Sequence, residues 1–121
     1  MDGDPESIRH SIIDKLSNKA QLNQKIFDNT FSVFGRLKEV LHEISSDVDD
    51  ILEEEGKEEV KIEYRDRGKF EAQLQIADDI LLFNMHSNIF EFNREHPLWQ
   101  NPYVQQDRSN SYCGMINIYN F

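Results

Sequence analysis

The stretch from about Ala20 to Glu55 constrains this chain more than any other. Phe27, Phe34, Leu37, Leu41, Ile44, Val48 and Ile51 recur at spacings of three and four, with Thr30 between the two phenylalanines. That period predicts one long helix with a narrow apolar seam. Gly35 sits inside it at a cost of roughly 1 kcal/mol relative to alanine. It marks either a close approach by another backbone or an ordinary surface position. Acidic residues crowd the end of the helix from Asp47 to Glu55, where the helix dipole disfavours anions. Fraying is therefore expected there, with Gly56 as the stop.

Upstream, Ile8, Ile12, Ile13 and Leu16 also have helical spacing and follow Asp4-Pro5-Glu6. A helix beginning near Pro5 is expected, because proline's missing N–H does no harm in the first turn. Ser17-Asn18-Lys19 either interrupts the chain or rides on a continuous helix. A break is the favoured expectation, with Ser17 or Asn18 capping the main helix.

From Val60 the period changes to two. Val60, Ile62 and Tyr64 alternate with charged residues, Asp66-Arg67-Gly68 turns the chain, and Phe70, Ala72, Leu74 and Ile76 alternate again, predicting a hairpin. Asp78-Asp79 is expected to form the next turn. Ile80 to Met85 is apolar on both faces and should be a central strand. A short fourth strand is expected at Ile89–Asn93 and a fifth over Gly114–Phe121. Between them, residues 94–112 form an irregular excursion interrupted by His96-Pro97 and Asn101-Pro102, with Trp99 and Tyr103 as its expected anchors. The predicted fold is therefore α+β. A long N-terminal helix, with or without a short helix before it, packs on an antiparallel meander sheet of four to five strands. Residues 1–121 suffice for one domain and no second core. A final strand ending on Phe121 fits either an edge strand or the N-terminal part of a longer protein.

Thirteen basic residues against twenty-three acidic ones give a formal charge of -10. Such a chain repels a phosphate backbone, so no nucleic-acid partner is expected. Arg65, Arg67 and Lys69 crowd one turn but read as a solvated rim. No window approaches the run of about 18 apolar residues that a membrane span needs, and the acidic start resembles neither a secretory signal nor a basic transit segment. Cys113 is the only cysteine. It cannot form a disulfide within one chain, and the simplest compartment is a reducing cytoplasm.

No stretch carries a recognisable chemical motif. His86, His96 and Glu91, with Asp78, Asp79 or Cys113, could in principle make a metal site, but their spacing matches no ligand pattern. Cys113-Gly114 is weak evidence for a nucleophile, and a small buried cysteine is the better account. His10 and His42 are expected on solvent-facing helix positions. There is no phosphate cradle and no dinucleotide fingerprint. No residue is assigned a catalytic, cofactor-binding or metal-ligating role, and no cofactor is expected.

The segments Asn84–His96 and Ser111–Phe121 resemble a small family of bacterial proteins of the Bacteroidetes type without assigned activity. The resemblance covers about the C-terminal third. It implies a bacterial cytosolic setting, members that continue past Asn117-Ile-Tyr-Asn-Phe121, and no catalytic residue to carry over. The favoured function is a non-enzymatic structural or protein-interaction module acting as a homodimer, its contact either on the sheet or along the seam from Phe27 to Ile51. The alternative is a small-ligand-binding domain with an aromatic-lined pocket between the sheet and the 94–112 loop. Its pocket would be lined by Phe83, Phe90, Phe92, Trp99 and Tyr112, with Asn84, His86 and Arg94 as polar groups. An enzyme is the less favoured class.

Overall fold

The computed structural model describes residues 4–121. A long helix lies across a four-stranded antiparallel sheet, with a small two-stranded sheet beside it. Helix α1 runs without interruption over Pro5–Glu54, 50 residues, or about 75 Å at the α-helical rise. Asp4 caps it by accepting from the Glu6 N–H at 3.1 Å, and Pro5 occupies the first position. The expected break at Ser17–Lys19 does not occur. Serine and asparagine are only mildly unfavourable inside a helix, and neither glycine nor proline is present to stop the chain.

The helix stays regular through its acidic last turns to Glu54. Gly56 ends it as anticipated, with φ of 70°. The Gly56 N–H donates to the Glu53 carbonyl at 3.1 Å and the Lys57 N–H to that of Leu52 at 2.8 Å. This paired arrangement satisfies carbonyls that the acidic last turn leaves open.

Strands β1 (Ile62–Asp66), β2 (Glu71–Ile76) and β3 (Asp79–Met85) form consecutive hairpins, and β6 (Ile116–Asn120) adds beside β3, giving the order β1-β2-β3-β6. β3 is central, as its two-sided apolar pattern predicts. The expected fourth strand at Ile89–Asn93 shrinks to β4 (Phe90–Glu91). It leaves the main sheet and pairs instead with β5 (Tyr112–Cys113). Between β4 and β5 lie a 3₁₀ turn at Pro97–Gln100, the short helix α2 (Pro102–Gln106) and a second 3₁₀ turn at Arg108–Ser111.

The β2–β3 turn is Ala77-Asp78 rather than Asp78-Asp79, since Ile76 pairs with Asp79. Ala77 takes φ of 52°, a left-handed conformation that a Cβ disfavours by roughly 1–2 kcal/mol. Ala77→Gly is therefore expected to raise stability by roughly 0.5–1 kcal/mol after the added chain entropy of glycine is counted. Urea denaturation should show a higher midpoint at unchanged slope.

Phe34, Leu41, Ala72, Leu74, Phe83 and Met85 form the core. The register explains their choice: Ala72 pairs with Phe83 and Leu74 with Leu81, so alternate residues of β2 and β3 face α1. The seam predicted as a dimer contact is thus largely used within the chain, and Leu41, 8% exposed, is not available to a partner. Gly35 is approached by nothing within 4 Å and is an ordinary surface position. The close approach lies at Gly114 instead, which packs against Thr30 of α1.

Candidate functional site

Strands of five to seven residues span about 17–23 Å, far less than α1. The helix therefore overshoots the body. Its C-terminal half rests mainly on β1, where Lys38 Nζ meets Asp66 Oδ1 at 2.9 Å and also donates to the Gly68 carbonyl. His42 is solvent-exposed, as expected, and its ring tilts against Tyr64 at 5.5 Å. At the other end every residue from Pro5 to Gln21 is exposed. On that arm Ile8, Ile12, Ile13 and Leu16 are 45%, 53%, 60% and 63% exposed, a density of open aliphatic surface that isolated residues do not explain.

Where the arm meets the body, a groove of 1020 Å³ opens between α1 and the β4–β5 pair. Lys19, Asn23 and Phe27 form one wall, and Ile89, Phe90 and Tyr112 the other. The helical wall was not foreseen, because every residue expected around a pocket lies between Phe83 and Tyr112 and none on α1. Of the eight residues anticipated around a pocket, only Phe90 and Tyr112 line this groove. Phe83 is buried beneath α1. Asn84 lies within 3.5 Å of Glu71 on the opposite face of the sheet. His86 stands edge-on to Phe90 at 5.7 Å, and Phe92 tilts against His96 at 4.4 Å.

Trp99 ties the excursion to its own start: its indole N–H donates to the Asn93 carbonyl at 3.0 Å, and Arg94 covers its ring at 4.5 Å. Tyr103 is 63% exposed and does not serve as the expected anchor; its neighbour Val104, 3% exposed, is the buried residue of α2. The α2 turn places adjacent residues on different sides, and the smaller side chain is the one that faces inward.

In the groove Glu91 accepts from Ser111 Oγ at 2.9 Å, which ties β4 to the 3₁₀ turn at Arg108–Ser111. Cys113 pairs with Phe90 in the small sheet, and burial pushes its thiol above the ordinary range, which disfavours the nucleophilic thiolate. His96 Nδ1 accepts from the Leu98 N–H at 3.0 Å, capping a turn. Among the described residues, no three His, Cys, Asp or Glu side chains converge to hold a metal ion. Also among the described residues, no helix is long and apolar enough to cross a membrane.

Asp66 is the carboxylate with the clearest perturbation on the helix–sheet contact. Its hydrogen bond from Lys38, then that from the Gly68 N–H at 3.0 Å, holds it below the usual range. Because its folded pKa is depressed, the contribution is present above the ordinary carboxylate range and lost as pH falls through the folded value. Lys38→Met is expected to move the Asp66 titration upward toward the ordinary range and to shrink the acid-side loss of stability. Carboxyl carbon NMR against pH reads this directly.

Comparison with protein-family models, curated proteins and solved structures returned no match to this chain.

Proposed function

We propose that this chain is a non-enzymatic interaction module that acts by self-association, its exposed helical arm forming the contact. The observation that carries this reading is the arm itself. A helix of about 15 residues is marginal in water without tertiary support, and this one presents four large aliphatic side chains to solvent. Covering them would both hold the arm helical and remove apolar surface from water. The single cysteine favours a reducing cytoplasmic setting as part of the same proposal.

Light scattering coupled to gel filtration at ~10 μM tests it, a working range set by ordinary association strengths. Twice the chain mass of 14.3 kDa is the expected result, and a monomer at that mass would overturn the proposal.

Small-ligand binding is the second reading, favoured by the groove that Phe27, Phe90 and Tyr112 line. A monomeric protein in which an apolar dye bound with quenching by Tyr112→Ala would support it over the first.

A further inference from the structure

On the premise that the chain self-associates, we infer that the arm of one protomer docks on the inner face of the other's sheet. It would lie in the trough between α1 and β6, and the exchange is reciprocal. The trough follows from the register. Ile118 pairs with Phe83 and Ile116 with Met85, so all four side chains face α1. Phe83 and Met85 are buried, yet Ile118 is 62% exposed. One helix covers the β1 side of a four-stranded sheet and leaves the β6 side open. The neighbouring wall is the flank of α1 carrying Val33, Ile44 and Ile51, which are 61%, 47% and 51% exposed. Their spacings of eleven and seven put them on one side of the helix. A cleft of 280 Å³ marks the start of the trough between Val33 and Ile116.

The occupant must be an apolar helix, and its charge is indicated by the wall. From Glu39 to Glu55 the chain has eight acidic residues and no lysine or arginine. Glu43, Asp47, Asp50 and Glu54 border the apolar flank, and none meets a basic side chain among the described residues. Along the exposed arm Pro5–Gln21 the balance is reversed, with three basic residues, Arg9, Lys15 and Lys19, against Glu6 and Asp14. Arg9, Lys15 and Lys19 lie on the half of the helix that carries Ile8, Ile12 and Leu16, while Asp14 lies on the opposite side. The arm therefore offers an apolar stripe with a basic border to a trough with an acidic one.

It cannot fill its own trough. Arm and wall belong to one uninterrupted helix with no hinge between them, so the occupant comes from a second molecule. Reciprocal docking is isologous and closes as a two-fold dimer.

The test uses full-length Ile12→Glu on the arm and Ile118→Glu in the trough, both at exposed positions. Each alone is expected to weaken the dimer by roughly tenfold or more. Mixed in equal amounts, they should re-form a dimer at the same concentration, because one of the two junctions then joins an unaltered arm to an unaltered trough. Should Ile118→Glu fail to fold, Val33→Glu on the helical wall takes its place in the mixture. Raising salt should also loosen the wild-type dimer. A mixture that stays monomeric overturns the inference, as does either single variant that remains dimeric. In particular, a dimer split by Ile12→Glu but untouched by Ile118→Glu would place arm against arm, leaving self-association intact. A wild-type monomer would instead remove the premise.

Discussion

Phe34→Ala is expected to lower the unfolding free energy by about 3–5 kcal/mol, the usual loss for a large aromatic removed from a packed interior. Phe34 is 1% exposed, and among the described residues it belongs to a core cluster of six buried hydrophobic side chains. Domains of this size are stable by roughly 5–15 kcal/mol, and so small a core belongs near the lower end. The substitution should therefore bring the protein close to its unfolding midpoint at room temperature. The helical circular-dichroism signal is the appropriate readout. The arm has no packing of its own, so α1 should be lost cooperatively once the sheet no longer holds it. A loss below about 1 kcal/mol would show that the helix does not depend on the sheet.

Gly114→Ala should be the second most damaging change, at about 1–3 kcal/mol. A Cβ there would come within 2.6 Å of Thr30 Cγ2 and 2.8 Å of Thr30 Cβ. The threonine cannot easily turn aside, because its hydroxyl donates to the Ile26 carbonyl at 2.8 Å. Adding Thr30→Ala removes the hydroxyl and methyl but leaves the Cβ contact, so the double variant should regain part of the lost stability. A coupling of roughly 0.5–3 kcal/mol in a thermodynamic cycle is expected for such neighbours. Simple additivity would show that Gly114 is needed for some other reason.

The hairpins were legible because each is local. Alternation over Ile62–Tyr64 and Phe70–Ile76 assigns a face to every residue, and Asp66 and Gly68 supply the chemistry of the turn between them. Gly68 takes φ of 111° and its N–H donates to Asp66 Oδ1. The Phe90–Glu91 strand was placed in the wrong sheet because its partner, Tyr112–Cys113, lies across the whole excursion. A two-residue pairing at that separation leaves no periodic signal. The same gap hid the groove, whose walls come from α1, β4 and β5. Aromatic residues alone named Phe90 and Tyr112 correctly, and placed Phe83 and Phe92 beside them wrongly, because composition does not say which face of which sheet a ring will occupy.

By itself the sequence determined the helix, its termination at Gly56, the first three strands and the apolar pattern of each. All of these are set by interactions within a few residues: hydrogen bonding along the helix, side-chain alternation along a strand, and backbone freedom at glycine. That α1 runs through Ser17–Lys19 was not legible in the sequence, because propensity there is nearly neutral, and those residues are exposed in the fold. The tertiary structure decided which apolar residues the fold uses. Leu41 and Ile12 have the same character and the same helical spacing, yet one is 8% exposed and the other 53%. What separates them is the length of the strands beneath the helix, since a seam stays buried only as far as there is a sheet to cover it.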